Sequence, residues 1–181
     1  MTSSSAESLT RRLLSSKHEA MIEFADMTVR FITNRGVTHE LVRHRMCSFA
    51  QESTRYIKYD GEMEFIKPVW FKDEPINDAL EYTDKEYQEF EPQNIWKHTM
   101  GMLEETYKEL LDHGWKAQQA REVLPNSLKT EIVVKANLRE WRHIFKLRCA
   151  SVAHPQMYEL MRPLLTEVQE LCPIIFDDIT Y

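Results

Sequence analysis

Glycine is scarce in this chain, with four in 181 residues, and no Gly/Ser-rich linker, low-complexity stretch or internal repeat interrupts it. Such a chain has little room for a flexible boundary, so a single domain over residues 1–181 is expected. Cysteine is scarce as well. Cys47, Cys149 and Cys172 are odd in number, far apart and without a CxxC pair, which argues against a disulfide framework and against a zinc site. The expectation is reduced thiols and no bound metal. No apolar run is long enough to cross a bilayer, and the opening MTSSSAESLTRRLL has no hydrophobic signal core, so a cytoplasmic protein with no membrane partner is expected. A GxSxG elbow is also missing, and no triad order can be read around any serine.

What is present is charge, unevenly distributed. Residues 43–58 carry a net +3 and residues 135–148 a net +4, while the rest of the chain carries −13. Two small basic islands in an acidic background suit a compact phosphorylated or carboxylated ligand. A long polyanion calls for a broad basic face, so nucleic acid is not the expected partner. The alternative at this level is that the arginines only pair with surface carboxylates.

The element pattern predicts an α+β fold. A helix is expected over 6–17, a strand over 26–32 and a turn at Asn34-Arg35-Gly36, followed by a helix from Val37 toward Cys47. Residues 62–71 read as a short strand interrupted by Pro68, and residues 72–84 as a polar loop. A long helix from Ile95 to Leu111 stops at His113-Gly114, and a short helix covers 116–123. Residues 130–136 are β-rich, and a helix over 137–148 follows directly, with Asn137 placed to cap it. The last helix spans Pro155 to Leu171, with a disturbance at Pro163.

Chemistry concentrates in two places. The stretch RHRMCSFAQESTRY, Arg43 to Tyr56, gathers Arg43, His44, Arg45 and Arg55 around two serines and one acid. His44 lies between two arginines that disfavour a further positive charge, so it is expected to be neutral. Cys47 reads either as a thiol activated by that positive charge or as a small core residue. Ser53 is better placed as a ligand-binding hydroxyl than as a nucleophile. On the 137–148 helix, Arg139, His143 and Lys146 share a face with Arg142 beside them, while Trp141, Ile144, Phe145 and Leu147 supply the apolar side. That face is either solvated or a ligand surface.

Arg43-His44-Arg45, Ser48, Ser53 and Arg55-Tyr56 closely resemble, at matching spacing, the RHRxxSxNExSxRY signature of the flavin-dependent thymidylate synthases. Further blocks in the same order extend the resemblance over nearly all of the chain after residue 17: His18-Glu19, Leu124-Pro125, Asn137-Leu138-Arg139, His143, Leu147-Arg148 and His154-Pro155-Gln156.

The resemblance implies a central, mainly antiparallel sheet flanked by helices, and a homotetramer whose active sites draw on several subunits. It also implies a methyltransferase that converts dUMP to dTMP, with methylenetetrahydrofolate as carbon donor, FAD as hydride carrier and NADPH as reductant. No side-chain nucleophile is required by such chemistry. Carried over by position, Arg43, His44, Arg45 and Met46 become flavin contacts, with Glu23, Asn137, Arg139 and His154. Gln51, Glu52, Ser53, Thr54, Arg55 and Arg148 become the dUMP pocket, and Arg148, Ser53 and His18 the groups nearest the chemistry, His18 lying by flavin and folate.

This chain departs from the pattern at several points. The family's Asn-Glu stands as Ala50-Gln51, and the Gln three residues before the motif stands as Glu40, which takes that residue's substrate-facing place. An arginine associated with the dUMP phosphate aligns with Glu131, and Lys129, on the same strand face, is the expected substitute. The segment between Arg148 and His154 is two residues longer than usual, and a shortened N-terminus is expected. Two other readings stay open: a catalytically weak homologue that binds nucleotide or flavin, and a nucleic-acid-binding scaffold.

Overall fold

The computed structural model describes residues 3–71 and 92–181, and the predicted loop over 72–84 lies outside them. In chain order the helices are α1 (Ser3–Ser15), α2 (Arg35–Leu41), α3 (Pro92–Asp112), α4 (Ala117–Ala120), α5 (Leu138–Arg148), α6 (Pro155–Leu171) and α7 (Pro173–Phe176). The strands are β1 (Asp26–Asn34), β2 (Ser48–Gln51) and β3 (Lys129–Asn137), and 3-10 turns cover Glu19–Phe24 and Arg121–Val123. The predicted α+β class holds. Among the described residues no helix is long and apolar enough to cross a membrane.

These residues form two compact units. Of the described residues, one comprises 3–33, 37–51 and 131–181, and the other 34–36, 52–71 and 92–130.

The first unit is built on the sheet, ordered β1-β3-β2. β2 runs antiparallel to β3, with Ser48 opposite Lys135 and Gln51 opposite Ile132. Ion pairs Arg30–Glu131 and Lys135–Asp26 link β1 to β3 with residue numbers that fall on one strand as they rise on the other, as antiparallel neighbours require. Ile132, Val134 and Ala136 alternate toward the core, the period-2 pattern of a strand with one buried face. Onto that face α5 packs Trp141, Ile144 and Phe145, and α6 and α7 add Met157, Met161, Leu165 and Phe176. Trp141 Nε1 donates to Met27 O at 2.9 Å, so the buried indole is not left unsatisfied.

α5 starts where predicted because Asn137 caps it: its side-chain oxygen accepts the Glu140 N–H at 2.8 Å. Glu140 in the first turn and Lys146 and Arg148 in the last complement the helix dipole. Leu147, expected on the apolar side, is exposed, and Arg142, expected beside the basic face, is buried at 3%. Arg142 can be interior because Asp178 receives both its Nη1 and Nη2, at 2.6 and 2.7 Å, and Ile175 O accepts Nη1 as well. α6 runs through Pro163 without ending. The proline removes one backbone donor, and the buried Met161 and Leu165 on either side hold the helix in the core.

The second unit packs Met63, Tyr107, Ala120 and Leu128 around α3 and α4. α3 ends as expected at Gly114, whose φ of +89° favours glycine. The Gly114 N–H donates to Leu111 O and the Trp115 N–H to Leu110 O, both at the helix terminus, which is the Schellman arrangement. Two expectations fail here. Residues 62–71 form no named strand: Phe65 makes an isolated bridge to Leu128, and Pro68 cannot donate to extend it. The turn at Asn34–Gly36 is instead the start of α2, because Asn126 O accepts the N–H groups of both Arg35 and Gly36 at 2.9 and 3.3 Å.

Candidate active site

Two helices and a turn of the first unit bring distant residues together. Leaving α2, the chain makes the turn that carries Arg43, His44 and Arg45, and His44 points inward with 6% of its surface exposed. Arg148, the last residue of α5, donates Nε to His44 Nε2 at 2.9 Å, Nη1 to Glu40 Oε2 at 2.9 Å and Nη2 to Glu40 O at 3.2 Å. The first half of the motif and the far end of α5 thus converge on one guanidinium.

That contact decides the His44 tautomer. An arginine only donates, so Nε2 must be the unprotonated nitrogen and Nδ1 carries the hydrogen. Nδ1 faces Glu140 Oε1 across 3.5 Å, and the His143 ring stands edge-on to His44 with centroids 6.0 Å apart. His44, Glu140 and His143 offer ligand atoms within 4.8 Å of one another. A metal at Nδ1 would have to displace that hydrogen while Arg148 blocks protonation of Nε2, so the trio suits hydrogen bonding better than coordination.

The expected neutrality of His44 is supported, and its origin differs from the one expected. Burial pushes its pKa down to about 4, helped by the charge of Arg148 and then by His143. The sequence neighbours Arg43 and Arg45 are exposed and enter no ion pair among the described residues. Cys47 is not an activated thiol. Burial first and Glu140 second push it up to about 11, and Cys149 is likewise raised by burial.

Beside this cluster lies a cavity of about 430 Å³ lined by Glu19, Glu23, Met46, Asn137, Arg139, Glu140, Arg142, His143 and Lys146. Four of the eight residues expected at flavin line it: Glu23, Met46, Asn137 and Arg139. Arg139 is held by Glu23 at 2.6 Å and by Glu19 at 3.5 Å. His18 does not line the cavity. It is exposed, its N–H donates to Leu13 O at 2.8 Å, and it leads into the 3-10 turn that supplies Glu19 and Glu23. His154 is absent from the lining too; its Nδ1 accepts the Gln156 N–H at 3.2 Å and caps α6.

Of the residues expected at dUMP, Gln51 belongs to the first unit, where its Nε2 donates to Thr38 Oγ1 at 2.9 Å. Glu52, Ser53, Thr54 and Arg55 belong to the second unit. There Glu52 O accepts Arg35 Nη2 at 2.9 Å, Ser53 Oγ accepts the Arg55 N–H at 3.4 Å, and the Arg55 guanidinium lies over the Tyr56 ring. Lys129 is paired with Glu64, and Glu131 with Arg30. Sequence reasoning missed Glu19, Glu140 and the inward role of Arg142. A usable signal existed for Glu140, since it stands three residues from both Asn137 and His143 and therefore shares their helix face.

The family described as thymidylate synthase complementing protein matches residues 1–174. A protein named flavin-dependent thymidylate synthase from Geobacter sulfurreducens is 32% identical over 179 residues, which is 98% of this chain and 71% of the relative. Proteins of the same name from Pyrococcus furiosus and Corynebacterium glutamicum are 34% and 33% identical, over 91% and 93% of this chain and 64% and 67% of their own lengths. The chain thus spans about two-thirds of the curated relatives it matches. A motif histidine and an arginine 104 residues downstream meet in the fold, and a match of this extent accounts for both: the chain belongs to the thymidylate synthase complementing protein family, that of the flavin-dependent thymidylate synthases.

Proposed function

We propose that this chain is a flavin-dependent thymidylate synthase that converts dUMP to dTMP, with methylenetetrahydrofolate as carbon donor, FAD as cofactor and NADPH as reductant. The observation that carries the reading is the hydrogen bond between His44 and Arg148, which joins the basic motif to α5, the helix whose Arg139, Glu140, His143 and Lys146 line a cavity. The cavity volume lies within the range of about 300–1,000 Å³ common for ligand pockets. Its donor set suits a flavin dinucleotide. Arg139 and Lys146 can meet phosphate oxygens, Glu19 and Glu23 can accept from ribose hydroxyls, and Asn137 and His143 can meet ring polar atoms. Reduced flavin, when bound, supplies the hydride that completes the methyl group.

The protein's own part is binding and orientation. Arg148, held at Nε by His44, keeps two of its five N–H groups beyond the three bonds described, and these are available to the nucleotide. Ser53, Thr54 and Arg55 supply hydroxyl and guanidinium donors for the pyrimidine and phosphate. Cys47, protonated at neutral pH, is no nucleophile, in keeping with a reaction that needs none. His18 and Lys129 remain proposed contacts at the folate side and the phosphate. The family match runs across both compact units, which supports reading them as one domain. Met21 and Phe24 are exposed on the turn that supplies Glu19 and Glu23, which supports a homotetramer in which a neighbouring copy covers that wall.

The test is reconstitution. Protein incubated with FAD should turn yellow, bleach with NADPH, and form dTMP from dUMP and methylenetetrahydrofolate. Protein that binds neither flavin nor dUMP would sink the proposal. The second reading, a weak homologue, draws on Gln51, which replaces the family's acid and gives its amide to Thr38. Binding of dUMP and FAD without dTMP formation would favour it.

A further inference from the structure

Arg162 is a charged residue that the proposed chemistry does not use. It stands on α6 beside the fully buried Met161 and Leu165, and its partners are aromatic rings and a backbone carbonyl. Its guanidinium carbon lies 4.0 Å from the centroid of the Tyr158 ring and 4.6 Å from that of Tyr181, while its Nε donates to Cys149 O at 3.0 Å. Tyr158 precedes it by four residues and so shares its face of α6. Tyr181 is brought there by the segment after α7, which Gln169 pins to α6 by donating Nε2 to Phe176 O and Ile179 O at 3.1 and 3.0 Å. Two rings restrain the plane of the guanidinium, and that plane decides where Nε points.

The carbonyl it meets belongs to the residue that follows Arg148 and ends α5. The last carbonyls of a helix have no partner within it, and α5 ends without a glycine stop, on Cys149 at φ −85° and ψ −15°. Beyond this point the chain runs out to solvent at Ser151 and Val152. The bond from Arg162 is therefore what ties the last turn of α5 to the core helix α6, and it sets a positive charge at the negative end of the α5 dipole. We infer that Arg162 is a positioning residue for Arg148: it fixes the backbone from which that side chain departs, while His44 and Glu40 fix the guanidinium at the other end. This rests on the reading of Arg148 as a group in contact with the nucleotide.

Calorimetric titration of the full chain with dUMP tests this. Arg162→Met keeps the apolar stem against the rings and removes Nε, and it should weaken dUMP binding about tenfold, since a small misplacement of a binding group is costly. FAD affinity, followed by flavin fluorescence, should be unchanged, because Asn137, Arg139 and His143 precede the anchored turn. The same substitution made in Arg148→Ala should have no further effect on dUMP, because it acts only through Arg148. If Arg162→Met does not fold, as judged by circular dichroism, Tyr181→Leu alters a side chain that is 61% exposed and should weaken dUMP binding about threefold, the equivalent of one cation–ring contact. An equal loss for FAD, or an equal loss of dUMP affinity with and without Arg148, would show a general loosening of the fold and overturns the inference. If the natural protein does not bind dUMP, or Arg148→Ala binds it as well as the natural protein does, the reading of Arg148 falls and the inference with it. If Arg148→Ala weakens dUMP binding and the folded Arg162 or Tyr181 variant does not, only the inference falls.

Discussion

His44 makes a measurable statement about stability. Its pKa is pushed from an ordinary 6.5 to about 4 by burial, by Arg148 and by His143, even though Glu140 Oε1 faces Nδ1 at 3.5 Å. The folded pKa lies below the unfolded one, so between pH 4 and 6.5 the unfolded chain binds the extra proton and stability rises with pH. The contribution is fully present above pH 6.5 and is lost as pH falls toward 4. A shift of this size corresponds to about 3 kcal/mol, at roughly 1.4 kcal/mol per unit. His44→Gln replaces Nε2 with an oxygen that can still accept from Arg148 and that does not titrate. Urea unfolding of both proteins at half-unit steps from pH 7.5 to 4.5 isolates the difference, since every other titrating group is common to the two. The stability advantage of the natural protein should shrink by about 2–3 kcal/mol over that range. A difference that stays flat with pH would refute both the burial and the tautomer deduced from Arg148.

Arg148→Ala should weaken dUMP binding by well over tenfold in an equilibrium titration, since it removes a charge-assisted donor. Asp178→Ala strips the carboxylate from buried Arg142 and should cost about 1–3 kcal/mol in denaturant unfolding, less than a fully buried pair because Asp178 is itself exposed; Asp178 is held below its ordinary pKa by that hydrogen bond, so a negligible cost would show that Ile175 O alone suffices. Asn137 has two proposed duties that substitution can separate. Asn137→Ala should lose about 1 kcal/mol of stability with the cap, whereas Asn137→Ser should keep most of it. Weaker FAD binding in the Ser variant, followed by flavin fluorescence, would then report the ligand contact.

Much of this fold can be read locally. The α5 boundary was visible because one residue, Asn137, ends a β-branched run and caps a helix, and the α3 stop because Gly114 accepts a positive φ. β2 was not visible. Four residues with a single large apolar side chain, Phe49, carry no periodic signal, and the strand exists because β3 offers a free edge to Ser48–Gln51. The error at Asn34–Gly36 has the same origin: Asn126, ninety residues away, accepts the donors that make the segment helical. In the site, the basic motif announced itself by composition, while Glu140 was masked by the arginines around it. The neutral state of His44 is expected from its neighbours in sequence, but it arises first from burial and then from Arg148 and His143, all of which only folding supplies.

The direct passage from β3 into α5 through Asn137 sets the site like a key in a lock with no free play. No loop separates strand from helix, so the pleat of β3 determines the rotation at which Glu140, His143 and Arg148 leave the α5 axis. One residue inserted or deleted at the Asn137–Leu138 junction turns every later side chain by roughly 100°. Arg142 would be driven outward, away from Asp178 and Ile175 O, while Arg139 or His143 swung toward the core. Length variation in this protein should therefore be tolerated after Arg148, in the segment leading to His154, and refused at the start of the helix.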